Sequence, residues 1–216
     1  MSKNFKGYMG DQIGKLGTAV GRKWKRKMVY ASYQGRVRNP RTEQQLLVRA
    51  RFSLLSQLSC ALQDALRLGL KRYAYQRQET EHNSFVRLNY KAIGGSEPDE
   101  LTVGYDELVV SQGALPNVQY GTPSFETPMQ VTVPITAPNT GVGHADDSDI
   151  VYLVAYCPGF QSGCVSDGSV HRSDGSLMLS VPAAWQGQKV YVFGFAESAS
   201  TYGTSMSSYL GFGTIA

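Results

Sequence analysis

From residue 100 onward the chain reads as short apolar or alternating runs cut by Gly, Pro, Asn and Asp, at 101–105, 107–111, 130–135, 150–156, 176–181, 189–196 and 207–212. Seven such runs, each about a strand long and bounded by turn signals, predict antiparallel strands stacked as an immunoglobulin-like β-sandwich. In the run at 189–196, Val190, Val192 and Gly194 fall on one face and Tyr191, Phe193 and Phe195 on the other. A strand apolar on both sides is buried on both sides. With 23 Gly, 9 Pro, 13 Tyr and only 18% charged residues, an all-helical chain is disfavoured.

The texture before residue 96 is different. The residue before Pro40 is pushed out of helical geometry, and Thr42 with Gln45 three positions on has the form of a capping box. Leu47, Leu54, Leu58, Ala61, Ala65 and Leu68 then recur at helical spacing, widened by Leu55, Leu62 and Leu66, until Gly69. This predicts a helix over 43–69, with Cys60 near its apolar stripe. A shorter helix is expected over 83–93, capped by Asn83 and ended by Gly94 and Gly95. The fold class is therefore α+β: a basic arm at 1–41, one long and one short helix within 42–95, and a sandwich at 96–216.

Charge is segregated along the same division. Residues 1–92 carry 19 Lys and Arg against 5 Asp and Glu, a net +14, whereas 93–216 carry 2 against 12, a net −10. The arm is rich in glycine, which is poor helix material, and the runs 15–20 and 25–30 predict a β-hairpin turning at 21–24. Its densest segment is Arg22, Lys23, Trp24, Lys25, Arg26 and Lys27, followed by Arg36 and Arg38. On one continuous strand, Lys23, Lys25 and Lys27 would share a face at steps of about 6.6 Å, suited to a phosphate backbone, with Trp24 free to stack on a base. The same residues suit docking on an acidic protein surface, for which the loop bearing Asp146, Asp147 and Asp149 is the candidate. A solvated basic face with no partner is the third alternative.

The blocks Gly14-Lys-Leu-Gly17, Gly21-Arg-Lys-Trp24-Lys25, Asn39-Pro-Arg-Thr-Glu43, Asn83-Ser-Phe-Val86 with Asn89, Ala92-Ile93, and Tyr209-Leu-Gly211 occur in this order along nearly the whole chain. Together they resemble an uncharacterised family from Bacteroidota, a domain of unknown function. The resemblance implies a lineage and no activity. Arg26 stands where that family commonly has glycine.

Catalytic and cofactor signatures are sparse. Gly10 to Leu16 imitates a phosphate loop, but with three residues between the glycines instead of four and Leu16 where Ser or Thr would hold magnesium. His144, Asp146, Asp147 and Asp149 lack the calcium-loop pattern and its closing Glu, so an acidic turn is expected. Cys60, Cys157 and Cys164 have no metal spacing, and an odd count argues for free thiols. No GxSxG elbow occurs; His171 near Asp167 and Asp174 leaves a triad or a polar turn open. No run is long and apolar enough to span a membrane, and the start lacks a secretory leader, so cytoplasmic synthesis is expected. The expectation is a non-enzymatic structural protein without metal, cofactor or small-molecule substrate. It would self-assemble through its basic arm and acidic sandwich into a filament, ring or shell, phage-like or released in a particle. Binding of DNA or RNA by the arm is the alternative.

Overall fold

The unit Met1–Thr42 is a four-stranded antiparallel meander of β1 (Lys3–Asn4), β2 (Gln12–Leu16), β3 (Ala19–Trp24) and β4 (Lys27–Ser32). The structure, a computed structural model, describes residues 3–4 (backbone only), 12–24, 27–36, 39, 41–200 and 203–216. The turn between β2 and β3 falls at Gly17 and Thr18, with Gly17 at φ +59°, and Gly21-Arg-Lys-Trp24, where a turn is expected, lies within β3. Gly21 lies inside β3 because the backbone carbonyl of Gln12 on β2 approaches so closely that a Cβ has no room. Close approach between strands explains this glycine better than a turn does.

The unit Glu43–Ala216 begins with α1 (Glu43–Ala61) and α2 (Gln63–Gly69). The predicted single helix is interrupted at Leu62, although Leu62 N–H still reaches Leu58 O and Leu66 N–H reaches Leu62 O, each at 3.0 Å. Gly69 ends α2, yet α3 (Lys71–Arg77) resumes beyond Leu70. The next helix, α4 (Glu81–Asn89), starts two residues earlier than predicted. Thr80 caps it, its Oγ1 accepting the Asn83 N–H at 3.2 Å, so Asn83 is a capped residue and not the cap.

Among the described residues nine strands follow: β5 (Ile93–Gly94), β6 (Thr102–Val103), β7 (Gln119–Tyr120), β8 (Gln130–Ala137), β9 (Ile150–Cys157), β10 (Ser162–Val165), β11 (Ser176–Ser180), β12 (Lys189–Glu197) and β13 (Ser208–Thr214). One antiparallel sheet has the order β10-β9-β12-β13 and a second the order β11-β8-β7. Their facing side chains make an immunoglobulin-like sandwich: Val151, Leu153 and Ala155 of β9 and Val190 and Val192 of β12 meet Val131, Val133, Leu177 and Leu179. The other face of the four-stranded sheet, with Tyr152, Val154, Tyr156, Phe193 and Phe195, is covered by Leu55, Leu58, Leu62, Leu66 and Phe85 from the helices. Phe193 and Phe195 are wholly buried, each stabilising the fold by about 1.5–3 kcal/mol. Two hydrophobic clusters thus lie on opposite faces of the four-stranded sheet, one beneath the helices and one inside the sandwich, and both belong to the unit Glu43–Ala216, which spans the segments expected at 42–95 and 96–216.

A candidate interaction surface on the basic sheet

Residues directly opposite in an antiparallel ladder share a face. Trp24 pairs with Lys27, Arg22 with Val29, and Lys15 with Val20. One face of the meander therefore carries Lys15, Arg22, Trp24 and Lys27, with Val20 and Val29 between them. Lys23 pairs with Met28 and lies on the opposite face with Tyr30. The expected row of Lys23 and Lys27 on one strand is overturned, because Lys27 belongs to the neighbouring strand and sits across from Trp24. Lys25, Arg26 and Arg38 lie outside the described residues. Arg36 follows β4 and is exposed.

Gly21 is the one buried position among the described residues of this sheet. Trp24 is 48% exposed, and Ile13, Leu16, Tyr30 and Tyr33 are comparably open. The Lys15 ammonium lies 3.7 Å above the Tyr33 ring. A sheet needs an apolar face under cover to be stable in water, and among the described residues this one leaves Trp24, Tyr30, Tyr33 and its lysines and arginines exposed. The arrangement offers charge, stacking surface and, along β4, an open strand edge.

The acidic loop divides. Asp146 and Asp147 are exposed, Asp146 accepting the Ser148 N–H and hydroxyl and Asp147 accepting the Thr140 hydroxyl. The hydrogen bonds from Ser148 hold the Asp146 carboxyl below its ordinary range. Asp149, expected in the acidic docking loop, is instead wholly buried and paired with Arg172, and presents nothing to a partner. Arg172, which the sequence reading missed, could have been flagged as one of only two cations after residue 92.

His171 Nδ1 lies 3.0 Å from Ser148 O while its backbone N–H donates to Asp174, and Asp167 accepts the Ser169 N–H and hydroxyl. These contacts fold polar turns, and among the described residues no Ser–His–Asp relay links them. A separate cleft of about 180 Å³ is lined by Ser59, Cys60, Gln63, Leu66, Arg67, Thr80, Glu81 and His82. In it His82 Nδ1 lies 2.9 Å from Ser59 Oγ. A nucleophilic serine also needs its histidine oriented by a third group, and no hydrogen bond of this kind to His82 occurs among the described residues. Cys60 is exposed, not in the stripe: two residues beyond Leu58 is a rotation of about 200°, onto the opposite side of α1. Among the described residues no group of three or more His, Cys, Asp or Glu side chains gathers as metal ligands. No helix among them is long and apolar enough to cross a membrane.

A family model described as "Family of unknown function (DUF6266)" matches residues 10–211. The chain belongs to that family. The match takes in β2 to β4, all four helices and most of the sandwich, so basic sheet and body fall within one family unit. No curated protein matches the chain. Among solved structures it is similar to the fn3 domain of human collagen alpha-1(XX) chain, at 23% identity and a TM-score of 0.33, over 49% of this chain and 89% of that one.

Proposed function

We propose that this DUF6266 member is a non-enzymatic structural protein that assembles with copies of itself, its basic sheet docking on the acidic body of a neighbour. The observation that carries the reading is the meander itself: a separate unit of strands whose described rings and cations are exposed. Residues 1–42 hold 11 Lys and Arg against Asp11, a net +10, while 43–216 hold 10 against 16, a net −6. Opposite ends meeting between copies make a heterologous contact, which closes into a ring or continues as a filament or shell. A phage-like particle fits this geometry, and the GKLG, GRKWK, NPRTE and YLG blocks are in keeping with a Bacteroidota lineage. Assembly in the cytoplasm, before release in a particle, is in keeping with three free cysteines. Sedimentation and electron microscopy at low and high salt test the reading. Oligomers that dissociate as salt rises are expected, and a strict monomer at high concentration in low salt overturns it.

A second reading is favoured by one pairing. Trp24, half exposed, sits across from Lys27 and two residues from Arg22 on the same face, a stacking ring between phosphate-binding cations. Binding to single-stranded DNA or RNA would weaken steeply with salt. Replacing Arg22, Trp24 and Lys27 by Ala is expected to abolish it, and unchanged binding removes this reading.

A further inference from the structure

Tyr33 N–H donates to Thr18 O at 2.6 Å, back toward β3. Backbone groups alternate in direction along a strand, so Lys27, Val29 and Ala31 of β4 also turn toward β3. Met28, Tyr30 and Ser32 then turn their N–H and C=O groups outward, and no backbone partner for them occurs among the described residues. This edge has none of the usual protections within it: no proline, no bulge, and Lys27 only at its end. The body has a similar edge. Among the described residues β11 pairs with β8 on one side only, with Gly175 O accepting from Ile135 N–H of β8 and Val181 N–H donating to Met129 O just before β8. By the same alternation Met178 and Ser180 present outward backbone groups, whereas the outward Ser176 N–H donates to Asp174 O, and the strand Ser-Leu-Met-Leu-Ser carries neither lysine nor proline.

The two edges lie in opposite electrostatic settings. β4 belongs to the unit of net +10. β11 begins two residues after exposed Asp174, whose turn is tied through His171 to Ser148 and so to the loop of Asp146 and Asp147. Two β4 edges pairing with each other would instead bring two such cationic units together. We propose that β4 of one copy adds as a strand to the open edge of β11 in a second copy, with the arm's cations facing the carboxylates of Asp146, Asp147 and Asp174. The proposal rests on the self-assembly reading and gives it a partner surface and a bonding mode.

The experiment uses the full chain with Tyr30→Pro or Met178→Pro. Each replaces an outward N–H, while the inward ladder bonds are kept, and Tyr30→Ala and Met178→Ala control for the lost side chains. Met178→Lys, a milder block of the same edge, guards against misfolding of the proline variant. Sedimentation at low salt is expected to show the wild type and both alanine variants assembled, and Tyr30→Pro, Met178→Pro and Met178→Lys as single chains. Mixing Tyr30→Pro with Met178→Lys should restore a dimer that grows no further, since one supplies β11 and the other β4. If both Met178 edge variants assemble like wild type, or if the mixture stays monomeric, strand addition to β11 is wrong while self-assembly stands. Assembly that strengthens with salt and is lost only in Tyr30→Pro would mean β4–β4 pairing and overturn it equally. A monomeric wild type would overturn the self-assembly reading itself.

Discussion

Arg172 Nη2 lies 3.2 Å from Asp149 Oδ2, with both side chains wholly shut off from solvent. The guanidinium also donates to Pro138 O and Pro116 O, each at 2.8 Å, and the carboxylate accepts the Asp146 and Ala199 N–H groups at 2.9 and 3.2 Å. Four chain segments are thus tied to one ion pair at the end of the sandwich. Its donors and acceptors are nearly all satisfied, although Arg172 Nε has no partner.

Removing one member of this pair leaves the other charge buried alone. Asp149→Ala and Arg172→Ala are each expected to cost about 3–5 kcal/mol in urea unfolding, against much less for the exposed Asp147→Ala. The double variant Asp149→Leu, Arg172→Met should lose less than the two single losses added. Full additivity would show that the pair does not act as a unit.

Asn89 makes a second prediction. Its Oδ1 accepts the Val109 N–H at 2.7 Å and its Nδ2 donates to Val109 O and Phe85 O, each at 2.9 Å. Asn89→Ala should destabilise by about 1–3 kcal/mol for each group left unpaired away from water. Chemical denaturation with an unchanged m-value checks it.

That pairing also shows where sequence patterns stop being informative. The run at 107–111 alternates like a strand, but Val109 bonds to a helix side chain and Val110 N–H to the Ser207 hydroxyl, so no ladder forms. β8, β9, β11 and β12 are legible because burial on one or both faces writes itself into every second residue. β10, Ser-Gly-Cys-Val, carries no such pattern and owes its form to pairing with β9. α3 was missed for a related reason: Ala74 is its one buried residue, too little for a periodic stripe. On the arm, the clustering of cations is readable from composition. The face each occupies depends on where the turns fall, and Gly21 suggested the wrong place.

The cysteines separate by exposure. Burial pushes the Cys164 thiol up to about 12, Cys157 is wholly enclosed, and Cys60 faces solvent. Since the thiolate is the reactive form, a disulfide reagent at pH 8 should label about one thiol in the native protein and about three in urea. Cys60→Ser should abolish the native signal. Rapid native labelling of Cys164 would contradict the packing of β10 on β9.

Acid sensitivity has a definite sign at Glu79. Burial alone would raise its carboxyl, but hydrogen bonds from Arg87 and Ser84 and the charges of Arg87 and Arg77 outweigh it and hold it below the ordinary range. The folded state therefore binds this proton less tightly than the unfolded state does. Its contribution is complete above the unfolded value of about 4.3 and is lost as pH falls through the lower folded value. Glu79→Gln should lower the Tm at pH 7 and flatten its fall on the acid side. An acid limb as steep as wild type's would show that Glu79 does not contribute.

Gly21→Val separates packing from propensity on the arm. Valine favours strands, so propensity alone predicts a firmer β3. The added Cβ would run into the Gln12 carbonyl and meet Tyr30 Cε1 at 3.1 Å, so sterics predict that β2 separates from β3. The effect belongs to Met1–Thr42, whose strands pair only with one another among the described residues. Trypsin should then cut faster after Lys15, Arg22 and Lys23, while the thermal transition of residues 43–216 is kept. If the basic sheet is the docking element, the same variant loses low-salt assembly with its body intact. Cleavage at the wild-type rate would mean that the close approach at Gly21 does not hold the meander together.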